Sequence, residues 1–180
     1  RATFNDGSYV LELNKELSDF YTNYREDRPE VGMWAQDWTL PEPPASTYPS
    51  DMMESAKKFS DTAMIVITSV GGEGADLPTD MSTITYTDNS KDYKDFQPGE
   101  HFLELSQSEK DMIDLVCSNL DNIVLVYNGA NTFELDFAQN YEQIKSVIWC
   151  PGTGQSGFKA LGEIVSGGVN PSGKTSDTFV

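Results

Sequence analysis

A chain of 180 residues that is 38% hydrophobic and 11% aromatic can build one domain with a sizeable core, which excludes a disordered acidic segment despite a formal net charge of −17. The excess of 29 acidic over 12 basic residues excludes nucleic acid and anionic membrane surfaces as partners by repulsion, and leaves neutral ligands open. No apolar run nears the roughly 18 residues that span a bilayer, so this domain makes no membrane contact of its own.

In chain order, SYVLELNKELSDFYTNY places Val10, Leu13, Leu17, Phe20, Tyr21 and Tyr24 on one helical face. Arg28-Pro29 ends that helix. The next stretch, VGMWAQDWTLPEPPASTYP, is barred from regular structure by its prolines. Trp34 and Trp38 make it an anchored interdomain strap rather than a free linker. Ser50 is expected to cap a short helix ending near Phe59, with Asp51 and Glu54 in its first turn. Residues 1–59 therefore hold a helix, a strap and a second helix, ahead of an α/β sandwich over 60–180, all within one structural domain.

AMIVITS (63–69), IVLVY (123–127) and SVIWC (146–150) read as strands buried on both faces. Between the first two lies a helix with a Ser106/Glu109 capping box and an apolar face of Met112, Ile113, Val116 and Leu120. After the third comes the amphipathic GFKALGEIV. This alternation predicts an α/β fold, a three-layer α/β/α sandwich with a mainly parallel sheet of about five or six strands. Cys117 and Cys150 each lie in an apolar run and read as buried small hydrophobes, not as a disulfide or ligands.

Ligands of open parallel sheets bind beyond the carboxyl ends of the strands. Three glycine-rich loops meet that condition: SVGGEGADLPTD, NGANTFELD and PGTGQSG. The first holds Glu73, Asp76 and Asp80. It leads into a polar stretch, 77–100, whose length marks it as functional or mobile.

The series SDTAMIVITSVGGEGADLP, FLELSQSEKDMI, NIVLVYNGANTFEL and IWCPGTGQSGFKALGEIVSGGVNPSGK resembles the second domain of family 3 glycoside hydrolases of the β-glucosidase type. The likeness runs from about Ser60 to Phe179. It departs from the commoner pattern at Leu77, in PGTGQSG, and in the Thr175-Ser176 tail. The resemblance implies a retaining β-glycosidase in which a barrel domain of the same polypeptide carries the nucleophilic aspartate. The acid/base then matches Glu73, and Asp76 is placed to hydrogen-bond a sugar hydroxyl or to close its own loop. The implied substrates are oligosaccharides or aryl β-glycosides, β-glucosides first and β-xylosides next. No cofactor and no metal is needed. Chain ends at Arg1 and in SGKTSDTFV suggest a piece of a longer enzyme, inactive alone. Localisation stays open, with an extracellular or cell-surface place favoured over the cytoplasm.

Other readings compete. Glu100 is the rival acid if the long loop folds over the site. Asp80 reads as a solvated acid. His101, the single histidine, reads as a packed or exposed loop residue. DNSKDYKD fails as a calcium loop, because Tyr93 fills the glycine position. PGTGQSGFK lacks phosphate-loop spacing and reads as a tight strand-to-helix turn with a solvated Lys159. Trp149 reads as core. The alternative function is a noncatalytic carbohydrate-binding or scaffolding domain of the same fold; a flavodoxin-like nucleotide domain finds no phosphate fingerprint here.

Overall fold

The computed structural model of the chain describes residues 12–26, 41–71, 76–84, 94–176 and 178–179. The first helix, α1, spans Lys15–Glu26. It begins where the Asn14 carboxamide accepts from the Leu17 N–H at 3.2 Å. Leu17, Phe20, Tyr21 and Tyr24 turn inward as expected, whereas Leu13 lies ahead of the helix and is exposed. Val10, Trp34 and Trp38 lie outside the described residues.

Helix α2 spans Met52–Phe59, and Asp51 rather than Ser50 holds its cap position, with no side-chain cap bond. The Ser55 hydroxyl donates to Glu16 and links α2 to α1. Strand β1 (Thr62–Thr68), helix α3 (Gln107–Cys117), strand β2 (Asn122–Asn128), strand β3 (Ile144–Trp149) and helix α4 (Phe158–Val165) follow in alternation. The strands form one parallel sheet in the order β1-β2-β3. Among the described residues there are three strands, against the five or six expected.

The period-2 pattern of β1 sends Ile65 and Ile67 into a core shared with Ile123, Leu125 and Tyr127 of β2 and with Met112, Ile113 and Cys117 of α3. Each such fully buried side chain stabilises the fold by about 1.5–3 kcal/mol. Only the central strand is buried on both faces, Val126 lying opposite that core with no exposure. β1 and β3 correct the expectation of two buried faces: Val147 of β3 is 42% exposed. At the edge of the described sheet, Met64 and Val66 are each 42% exposed. Both cysteines are free thiols, Cys117 buried and Cys150 partly so.

The start of α3 draws the long polar stretch inward. Its first N–H groups have no partner within the helix. The Gln107 N–H donates to the Asp95 carbonyl at 2.7 Å and the Ser108 N–H to the Asp95 carboxylate at 3.0 Å. The Ser106 hydroxyl accepts from the Glu109 N–H at 3.2 Å and the Ser106 N–H donates to the Glu109 carboxylate at 2.8 Å, so the capping box forms. Asp95 is nearly fully buried by this clasp. A residue of the stretch that reads as loop is thus fixed on the helix that covers the sheet.

Candidate active site at the carboxyl ends of the strands

Two loops meet beyond the ends of β1 and β2. The Ser69 N–H donates to the Asn128 carbonyl at 3.1 Å, which carries the ladder one step past the strands. Gly71 then passes directly against Asn131: a Cβ at position 71 would stand 2.8 Å from Asn131 Oδ1. The Asn131 Nδ2 donates to the Thr132 carbonyl at 2.7 Å, and this turns Oδ1 toward Gly71. Glu73 lies in 72–75, outside the described residues, one residue beyond this contact's neighbour.

The second loop is held from below and from β3. Tyr127 is wholly buried, stacked on Phe133 with ring centroids 4.9 Å apart. The indole Nε1 of Trp149 donates to the Gly129 carbonyl at 2.9 Å, and Asn128 Nδ2 donates to the Cys150 carbonyl at 2.7 Å. Trp149 is half-buried, and it packs against the core as expected while also fixing the loop. Ser69 Oγ, Tyr127 Oη and Asn131 Oδ1 are buried without a hydrogen bond of good geometry. They stand close enough that Ser69 and Asn131 partly offset the upward push of burial on the Tyr127 hydroxyl, whose pKa stays above its ordinary value.

Downstream of Glu73, Asp76 is exposed. The chain is pinned again just after it. The Phe102 N–H donates to the Pro78 carbonyl at 3.1 Å and the Met81 N–H to the Glu100 carbonyl at 2.8 Å. Asp80, expected to be solvated, also caps the next turn: it accepts from the Ser82 N–H at 3.0 Å and the Ser82 hydroxyl at 2.6 Å. The Ser82 hydroxyl holds its carboxyl below the usual range.

Glu100 is poorly suited to the rival role. Partial burial pushes its pKa up. The Gln97 N–H at 2.6 Å and the Lys110 ammonium at 2.9 Å outweigh that and keep it below the ordinary value. A carboxylate held ionised in this way is a weak proton donor.

Two clusters escaped sequence reasoning. His101 Nε2 lies 3.3 Å from both Glu104 Oε1 and Glu134 Oε1, a spacing compatible with metal ligation. The Leu103 N–H, however, donates to His101 Nδ1 at 3.3 Å. That bond places the ring proton on Nε2, where it serves the two carboxylates and leaves no lone pair for an ion. The group is a clasp between the two loops, also joined by the Glu134 N–H to the Leu103 carbonyl at 3.0 Å.

The second cluster is the Glu42 carboxylate, which accepts from the Tyr21 and Tyr48 hydroxyls and anchors α1. It faces a small cleft beside the end of β1 together with Val66, Thr68 and Glu109. Burial raises the pKa of Glu42, and the tyrosine bonds oppose the rise. Periodicity could not reveal either cluster, since each joins residues from separate loops or helices. DNSKDYKD lies mostly outside the described residues, although its final Asp95 is the buried partner of Ser108.

Residues 6–180 match the model of the glycosyl hydrolase family 3 C-terminal domain. Beta-glucosidase A of Butyrivibrio fibrisolvens is 31% identical over 165 residues, which are 89% of this chain and 19% of that protein. A protein of Arabidopsis thaliana named "Probable beta-D-xylosidase 6" is 33% identical over 78 residues, 43% of this chain and 10% of its own length. The crystal structure of a beta-glucosidase from Paenibacillus barengoltzii superposes with a TM-score of 0.69 at 22% identity, over 93% of this chain and 16% of that one. The chain thus spans less than a fifth of the length of these relatives.

Proposed function

Because the chain belongs to glycosyl hydrolase family 3, through the C-terminal domain of that family, we propose that it supplies the proton donor and part of the sugar site to a retaining β-glycosidase. Glu73 is the donor. The nucleophilic carboxylate belongs to a barrel domain elsewhere in a longer polypeptide, and the 180-residue chain by itself does not turn over substrate. β-Glucosides are the first substrate class and β-xylosides the second, in keeping with the names of the relatives. The domain completes a three-layer sandwich around five or six strands, three of which are described.

One observation carries this reading. The segment bearing Glu73 springs from the carboxyl end of β1 between two fixed points, Gly71 against Asn131 and Pro78 against Phe102. Meanwhile Glu100, the competing acid, is spent in its pair with Lys110. Glu73 lies among the six residues between these two posts.

The chemistry asks for two steps from that carboxyl. An alkoxide leaves slowly unless it is protonated as the glycosidic bond breaks, so Glu73 gives its proton to the departing oxygen. The nucleophile, standing about 5–5.5 Å away, takes the sugar as a covalent ester, and its negative charge keeps Glu73 protonated beforehand. Once the ester forms, that charge is gone. Glu73 is then a base that removes a proton from the water attacking the ester. Asp76, which is exposed, hydrogen-bonds a sugar hydroxyl.

The test uses the longer polypeptide. Glu73→Gln slows cleavage of an alkyl β-glucoside on the order of 10²-fold or more, yet leaves the bond-breaking step of an activated aryl glucoside nearly unchanged. Equal effects on both substrates, or none, would favour the noncatalytic scaffold instead.

A further inference from the structure

Helix α1 has no fully buried residue, so a few side chains carry its attachment to the rest of the fold. Phe20 stacks on Tyr48 with ring centroids 4.8 Å apart, and Glu16 accepts from Ser55 of α2. The third link is a ring of three oxygens. Tyr21 Oη and Tyr48 Oη both meet Glu42 Oε1, the latter at 2.9 Å, and lie 2.6 Å from each other. Tyr48 also packs against the core, so Glu42 joins α1 to it.

Three such contacts need three hydrogens, and the two tyrosines supply only two. The third is the proton of a neutral Glu42. Glu109 stands across the same cleft, which Val66 and Thr68 of β1 also line. We propose that α1 is a proton-linked clip: it is held closed while Glu42 carries its proton, and loosens when Glu42 and Glu109 are both ionised. Ionisation leaves one contact of the ring without a hydrogen and sets two like charges in one cleft.

The groups facing the two acids agree on the sign. Burial raises the pKa of Glu42, against the bonds from Tyr21 and Tyr48 and the charge of Arg25 on α1. Burial likewise raises Glu109 to about 7, against its bonds with Ser106, and the charges of Glu42 and Asp95 add to the rise. Tyr24 completes the wall that α1 lends to the cleft. Release of α1 removes Tyr21, Tyr24 and Arg25 and lets water reach both carboxyls. Both acids thus bind protons more tightly when α1 is docked. Docking is strongest below about pH 4.5 and weakens as pH rises through about 7.

Amide hydrogen exchange over Lys15–Glu26 of the full chain, corrected for the intrinsic rate at each pH, tests this at pH 5 and pH 8. Protection of α1 should fall on the order of tenfold between them, because an undocked helix of 12 residues is marginal in water. At pH 8 it should also sit at least about tenfold below that over Asn122–Asn128, the mark of local release. The double variant Glu42→Gln/Glu109→Gln should hold α1 protection within about twofold across the interval. If it fails to fold, Glu42→Gln alone decides, by a fall smaller than that of the native chain. Protection of α1 that does not change with pH, or that falls as far in the variants, overturns the clip. Equal protection of α1 and Asn122–Asn128 at pH 8 assigns the exchange to global unfolding and overturns it too.

Discussion

The Tyr127 hydroxyl occupies the volume that a side chain at position 129 would need: a Cβ there would stand 2.2 Å from the hydroxyl oxygen and 2.5 Å from Cζ. Neither ring atom can retreat, because Phe133 stacks on one side and Phe179 packs edge-on. Gly129→Ala should therefore cost about 1–3 kcal/mol as overpacking, a fall in Tm of about 2–10 °C for a domain of this size, measured by thermal unfolding. An unchanged Tm would mean that the loop moves away freely, and would weaken the claim that it is a rigid support.

The same buried hydroxyl makes a second expectation. Tyr127 Oη has no hydrogen bond of good geometry, so removing it leaves no partner stranded. Tyr127→Phe should hold stability within about 1 kcal/mol, or raise it. Loss of more than about 2 kcal/mol in denaturant unfolding would show that the hydroxyl is bonded in solution.

Much of the architecture was readable beforehand. The β-branched run IVLVY, bounded by Asp121-Asn122 and Asn128-Gly129, reads as a strand, and the Ser106/Glu109 box is a local signal that the fold keeps. β1 and β3 depart from the expectation because apolar residues on both faces cannot say which strands flank the centre of the described sheet; that depends on pairing order. Ser50 and Asp51 are both good cap types, so residue type does not separate them, and the turn that starts at Pro49 places Asp51 at the cap. At the site, the loops were identifiable from glycine and strand order. The contacts that pin them, Asn131 on Gly71 and His101 between Glu104 and Glu134, are long-range in sequence and left no periodic trace.

Glu109 predicts a pH dependence. Burial first, then the nearby charges of Glu42 and Asp95, push its pKa from 4.5 up to about 7, against the opposing bonds from Ser106. Asp95 and Glu42 are raised by burial too. An acid whose folded pKa exceeds its unfolded value binds its proton more tightly when folded. Its contribution is complete below about pH 4.5 and is lost as pH rises through 7. The chain should therefore be more stable near pH 5 than near pH 8, with a contribution from Glu109 on the order of 1–2 kcal/mol after allowance for its partial exposure. Glu109→Gln keeps an acceptor for the Ser106 N–H and should flatten the slope of Tm against pH in that interval. An unchanged slope would remove Glu109 as its source.

Zinc gives a sharp check on the His101 clasp. With the ring proton on Nε2, the imidazole has no free lone pair facing Glu104 and Glu134. Zinc at concentrations well above micromolar should leave Tm unchanged within about 1 °C, and a chelator should do nothing. A zinc-dependent rise in Tm that His101→Ala abolishes would reverse the tautomer and the reading of this cluster.

Azide offers the most direct test of Glu73. It needs no base to attack the glycosyl ester, so it bypasses the second step that Glu73 serves. In the longer polypeptide, Glu73→Gln acting on an activated aryl β-glucoside should be accelerated by added azide and should release the β-glycosyl azide, with configuration retained. Absence of that product, with no acceleration over the untreated variant, would contradict Glu73 as the acid/base and leave this domain without a catalytic carboxyl of its own.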